Sequence, residues 1–348
     1  MKYHTRVRLR AVYHGFKLIL AGIVGNDKNI EKYISIHGNP DDFHLMHYGD
    51  KYYGEVIYLI QEAGKGYGFF AEFKTLLENL MFAEKYGFIP CVRYGKKYAY
   101  YDEDKKECDN PFEYYFEPIG KEIDYQNAVN VLVSKPEYGQ SFEFVGNRNA
   151  DGYHFSDVMV DNLVDVLKKY VRIKPEIIEG FDMQYNELTN NQKVLGVHYR
   201  GTDFKVGYDK HPKQVELQQI CDMIESALGK YGFSKVFIAT DDNSALDLFI
   251  EKYGSKVVFC RDVKRSSGCE SVAFSSSDRR EHHYKLGLEV LRDAYYLSRC
   301  DGLICGISQV AFGARLIKIS MNEKYSYLSV IDNGLNNNMH SFSVKKRC

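Results

Sequence analysis

Three short polar clusters hold the residue types that could do chemistry in this chain. They are His198 to Asp203, Thr240 to Asp242, and Gly306 to Ser308, and each follows a short apolar run. Arg200 offers a fixed fork of donors that suits phosphate oxygens. Ser308 precedes a helical run, so it either caps that helix or leaves free N–H groups and a positive dipole end for an anion. Asp241 and Asp242 admit the same two readings, helix cap or ligand contact, and His198 is either a core histidine or part of a site. Asp293 falls in phase with Leu286, Val290 and Leu297, which puts an acid on the inward stripe of an amphipathic helix. A buried carboxylate is costly unless paired. Its partner is either a structural arginine (Arg279, Arg280 or Arg299) or a ligand with two parallel donors, as on the N1 and N2 edge of guanine.

These clusters need a scaffold that brings them together. Val194 to Tyr199, Lys235 to Ala239, Lys256 to Phe259 and Gly302 to Cys305 read as buried strands, short and rich in β-branched residues. Between them, Leu217 to Leu228, Asn243 to Tyr253 and Leu286 to Leu297 carry helical spacing, and Gln309 to Ile317 follows the last strand. Alternating strands and helices predict a doubly wound α/β domain, in which ligands bind beyond the carboxyl ends of the strands. All three clusters lie at such ends. Upstream, Glu55 to Ile60, a glycine-rich loop, a helix from about Phe70 to Tyr86 and a strand at Phe88 to Arg93 form another strand–helix–strand unit. Asp157 to Tyr170 reads as a helix, and Val171 to Thr189 as a helical connection holding the domain boundary. The expected division is residues 1–50, a basic amphipathic segment; 51–185, an amino-terminal α/β domain; and 186–348, a Rossmann-like domain.

The loop glycines 64, 66 and 68 permit close backbone approach to a phosphate, but their spacing is neither G-x-G-x-x-G nor a P-loop. There is no G-x-S-x-G elbow. No His, Asp or Glu grouping has metal-ligand spacing, and the eight cysteines contain no Cys-x-x-Cys pair. Scattered thiols fit a reducing cytoplasm.

With 348 residues, 46 Lys and Arg against 47 Asp and Glu, and a net charge of −1, the chain excludes a strongly basic nucleic-acid binder. The aromatic content is 29 Tyr, 21 Phe and no Trp, which suits stacking on sugars or bases but is explained equally by codon usage. No apolar run is long enough to span a membrane. Lys2, Arg6, Arg8 and Arg10 precede an apolar stretch interrupted by Lys17. Residues 1–25 thus read either as a helix on the inner face of an anionic membrane or as a surface helix with a solvated basic face.

The motifs also carry a family resemblance. His198 to Pro212 resembles the first motif of the α1,2-, α1,6- and protein O-fucosyltransferase superfamily, and is most similar to the α1,6- and nodulation-type enzymes. Val236 to Asp242 resembles the second motif, and Leu291 to Ala314, with Asp293, Cys305, Ser308 and Gln309, the third. Gly64 to Gly68 resembles the glycine-rich loop. The resemblance implies a GT-B fold, two Rossmann-like domains facing across a cleft. It further implies inverting transfer of fucose from GDP-β-L-fucose to a glycan or lipid-linked saccharide, without a metal or other cofactor. By the same resemblance, Arg200 would hold the β-phosphate with Gly66, Tyr67, Gly68, Ser308 and Gln309. His198 and Asp293 would read guanine, Asp203 and Asp241 would support the nucleotide, and Asp209 would take the acceptor's proton with Lys205 nearby. Gly201 stands where the family often has a second arginine, Phe204 looks like an insertion, and Asp209 is one methylene shorter than glutamate. The alternatives are a GT-B transferase for another nucleotide sugar and a catalytically silent GDP- or glycan-binding relative.

Overall fold

The structure, a computed structural model, describes residues 3–25, 45–64, 66–135, 152–269 and 271–337. In chain order its elements begin with α1 (Tyr3–Val24), β1 (Ile57–Ile60), α2 (Phe69–Tyr86), β2 (Ile89–Val92) and β3 (Val131–Val133). Next come α3 (Asp157–Tyr170), α4 (Pro175–Thr189), β4 (Val194–Tyr199), α5 (Leu217–Tyr231), β5 (Lys235–Thr240), α6 (Asn243–Tyr253) and β6 (Val257–Val258). The last four are α7 (His282–Arg299), β7 (Gly302–Gly306), α8 (Gln309–Ser320) and β8 (Tyr327–Ile331). The chain divides into two compact units, residues 1–58 with 124–133, and residues 59–123 with 134–348.

In the first unit, Met46 and Val131 exchange backbone hydrogen bonds of 2.7 and 2.9 Å, and the Ile57 N–H donates to the Asn130 carbonyl at 2.9 Å. Lys51 pairs with Asp124 at 2.7 Å, both exposed.

The second unit is built on a five-stranded sheet, all parallel, in the order β6-β5-β4-β7-β8. The chain enters at the centre with β4, builds outward through β5 and β6, then crosses back to β7 and β8. The strand order therefore reverses between β4 and β7, the place where the loops beyond a parallel sheet part to leave a crevice. Alternate residues of β4 serve opposite faces. Leu195 and Val197 join Ile220, Ile224, Ala245 and Phe249 in the core against α5 and α6. Each such fully buried aliphatic side chain stabilises the fold by about 1.5–3 kcal/mol. Gly196, on the other face, lets α7 close in: a Cβ there would lie 3.1 Å from Leu297 and from the Cys300 sulfur.

The sequence reading and the structure agree closely along β4, where the buried run Val194 to Tyr199 is the strand itself. They differ at β8, an edge strand of alternating half-buried and exposed residues that has no continuous apolar run. The connection after Tyr170 resolves into α4, started by Pro175 at its first turn and ended by Asn190 in the left-handed conformation.

One helix contact positions the glycine-rich loop. Helices α2 and α8 pack so closely at Gly313 that a Cβ there would sit 2.0 Å from the Phe70 ring. This brings both helix amino termini to the same region of the unit. Gly313→Ala overpacks that contact, and we expect it to destabilise the protein by about 1–3 kcal/mol. Urea unfolding checks this, and an unchanged midpoint would contradict the packing described.

Candidate functional site

Beyond the carboxyl ends of β4, β5 and β7 lies a cavity of about 510 Å³, lined entirely by residues of the second unit. That volume suits a nucleotide-sized ligand. One wall is polar and belongs to the strand ends. Arg200 extends from β4 and is clamped by two carboxylates, its Nη2 2.7 Å from Asp203 Oδ1 and its Nη1 2.6 Å from Asp241 Oδ2. Asp241 also accepts the Gly201 N–H at 2.8 Å and the Thr202 hydroxyl at 2.6 Å. Burial pushes the Asp241 carboxyl up, but Arg200, Thr202 and Gly201 outweigh it and hold the group below the usual carboxylate range. Asp242, one residue on, faces away from the cavity: it caps α6 by accepting the Ser244 N–H and pairs with Lys205 at 2.6 Å. The two readings of this cluster thus separate by residue.

His198 is buried, and its Nδ1 lies 3.2 Å from the Ser308 hydroxyl. Burial, with a smaller push from Arg200, pulls its pKa down to about 4, so the ring is neutral near pH 7. Ser308 caps α8 by accepting the Ala311 N–H at 3.1 Å, and it also lines the cavity. Capping and site roles therefore coexist.

A second wall is a pair of helix amino termini. Helix α2 begins at Gly68 with no side-chain cap, and its Phe69 N–H donates to the Tyr100 hydroxyl at 3.0 Å. The next two N–H groups, of Phe70 and Ala71, meet no acceptor among the described residues, and neither do those of Gln309 and Val310 at the start of α8. All four residues line the cavity. Unpaired N–H groups at two converging helix starts, each the positive end of a dipole, form a receptor for an anion. Lys74, one turn into α2, is buried, lines the same cavity and lies 3.7 Å from Glu78. The sequence reading missed it, although a lysine one turn after a glycine-rich loop is a signal that could have been used.

The third wall is largely apolar: Val263, Val272, Ala239, Leu286 and Val290 line the cavity together with Asp293 of α7 and with Glu289, one turn earlier on that helix. Asp293 accepts no hydrogen bond and joins no ion pair among the described residues. Of the three arginines that might have paired with it, Arg279 pairs with Glu289 and Arg299 with Asp182 and Glu323, while Arg280 forms no ion pair among the described residues. Burial pushes its pKa up to about 7 against the pull of Arg292 and Arg265, with smaller upward pushes from Glu289 and Asp262.

Of the expected site residues, Gly66, Tyr67, Gly68, His198, Arg200, Asp203, Asp241, Asp293, Ser308 and Gln309 all line this cavity. Lys205 and Asp209 are not among its lining residues; Lys205 turns to Asp242, and Asp209 is half-buried on the following loop. His211, two residues on, does line it, as do Phe204 and Tyr153. A side chain at position 201 is excluded, because a Cβ there would lie 2.4 Å from the Asp242 Cβ. No group of three or more His, Cys, Asp or Glu is placed to hold a metal ion among the described residues.

The raised Asp293 pKa has a consequence for stability. An acid whose folded pKa exceeds its unfolded value of about 4 makes the folded state lose stability as pH rises from there to about 7. Asp293→Asn is spared that loss. Its advantage over the parent in urea unfolding should be small at pH 5 and larger at pH 8, and an equal difference at both would contradict the assignment.

No family model and no curated protein matches the sequence. Solved structures similar to the chain include fucosyltransferases. A NodZ α1,6-fucosyltransferase soaked with GDP-fucose shares 20% identity over 75% of this chain and 92% of its own, with a TM-score of 0.44. The NodZ enzyme from Bradyrhizobium in selenomethionine form shares 19% over 82% and 97%, at 0.45. An apo form of POFUT1 shares 13% over 81% and 99%, at 0.46.

Proposed function

We propose that this chain is an inverting, metal-independent fucosyltransferase that takes L-fucose from GDP-β-L-fucose to a hydroxyl of a glycan or lipid-linked saccharide. The observation that carries the reading is the pairing, in one cavity, of the unpartnered Asp293 carboxylate with four unpaired helix N–H groups. Guanine presents N1–H and N2–H side by side, and a carboxylate accepts both; the matching edges of uracil and adenine present no such donor pair. With the base at Asp293 and between the apolar walls, the diphosphate falls to the starts of α2 and α8. There Lys74 adds a positive charge, which offsets the missing cation at Gly201. The ordered sequence motifs support the same assignment.

In the reaction the acceptor oxygen attacks the anomeric carbon from the face opposite GDP. The bond from that carbon to the phosphate oxygen breaks, and its electron pair leaves with GDP. Negative charge therefore grows on the phosphate, where fixed N–H groups and cations need no rearrangement to meet it. The acceptor proton passes to a base, which the motif places at Asp209.

A GDP-binding relative without turnover is the second reading. The clamping of Arg200 by Asp203 and Asp241 favours it, because two carboxylates already neutralise that guanidinium. Release of GDP from GDP-fucose in the presence of a chelator separates the two readings, since a binding protein should show none above a denatured control. Lys74→Met should weaken GDP binding about tenfold or more, as expected for loss of a desolvated cation at a phosphate. Unchanged affinity would remove Lys74 from the site. Asp209→Asn should abolish fucose transfer and leave GDP affinity intact. Full activity in that variant, with loss in His211→Gln, would move the base to the histidine that lines the cavity.

A further inference from the structure

We infer that helix α1 is an interfacial membrane anchor, its exposed face lying in the headgroup layer of an anionic bilayer. The inference is independent of the reaction proposed above, because it rests on the first unit alone. Val12, Tyr13, Phe16, Ile19, Leu20 and Ile23 are 46 to 76% exposed. At about 100° per residue they fall within an arc of roughly 120°. Ala21, on the opposite side of the helix, is buried. A face this apolar is not a solvated surface, since exposed large hydrophobics are normally scattered singly.

Charge selects the occupant. The first 24 residues contain Lys2, Arg6, Arg8, Arg10 and Lys17 and no Asp or Glu, although the chain as a whole carries −1. Lys17 sits with its ammonium 4.7 Å from the Tyr13 ring centre. An excess of cations in the same segment as an apolar stripe matches a surface of anionic lipid, where each basic residue contributes about 1 kcal/mol. A second copy of the helix would instead bring like charges together. The helix, 22 residues long, is not apolar enough to cross a membrane. It therefore lies in the interface plane.

Cosedimentation of the full chain with vesicles tests this. The full chain should bind phosphatidylglycerol–phosphatidylcholine vesicles, bind pure phosphatidylcholine vesicles at least tenfold less, and lose binding as salt rises. The triple variant Phe16→Glu, Ile19→Glu, Ile23→Glu should lower partitioning at least tenfold; these side chains are exposed, and an unchanged urea midpoint will show that the variant folds. Lys17→Glu, a milder change, should lower it with the fold equally intact. Binding to neither vesicle, binding that the variants do not alter, or a concentration-dependent dimer that the variants abolish without any lipid binding would each overturn the inference.

Discussion

The Asp241 carboxylate fastens the site together. It lies at the end of β5 and takes hydrogen bonds from the Gly201 N–H and Thr202 hydroxyl, and an ion pair from Arg200, all just beyond the end of β4. Two neighbouring strand ends are thereby fixed to each other. Arg200 is then pinned from its other side by Asp203. Removing one member of such a buried cluster leaves an uncompensated charge, which typically costs about 3–5 kcal/mol. The geometry also requires glycine at 201, because Asp242 occupies the space a side chain would need. Packing at the strand ends thus leaves no room for a side chain at position 201.

The cavity holds two kinds of recognition. At the helix starts, donors are backbone N–H groups fixed by α2 and α8, whose mutual distance is set by the Gly313 contact with Phe70. On another wall, which Val263, Val272, Leu286, Val290 and Glu289 also line, the Asp293 carboxylate has its pKa raised to about 7. A ligand that satisfies both must be anionic at one end and carry paired N–H donors at the other. His198 lines the same cavity, neutral because it is buried, and so adds shape and hydrogen bonding without charge. A site arranged this way has its dipoles in place before any ligand arrives, which lowers the reorganisation that charge development would otherwise demand.

Much of this was legible in the sequence for a physical reason. A parallel strand buried on both faces is a continuous apolar run, so Val194 to Tyr199 and Gly302 to Cys305 announce themselves, and the polar residues that follow them must lie at the ligand edge. Asp293 stood out because a carboxylate broke an apolar helical stripe. What stayed hidden depends on distant contacts. Arg279 and Arg299 turned out to have other partners, Lys74 looked like any helix lysine, and the orientation of Asp241 against Asp242 follows from which of two adjacent side chains faces the β4 terminus. Lys205 and Asp209 could be aligned to a motif, but where the loop after Asp203 carries them is decided by the pairing of Lys205 with Asp242. Strand β8 escaped notice because an edge strand needs no unbroken apolar run.

Selection of a guanine diphosphate by Asp293 and the two helix starts is open to calorimetric titration of the protein with GDP, UDP and ADP, with a chelator present and at pH 6 and pH 8. GDP alone should bind, and more strongly at pH 8, where Asp293 is ionised, than at pH 6, where it holds its proton. Binding of UDP or ADP as strong as that of GDP, or GDP affinity indifferent to pH, would contradict it.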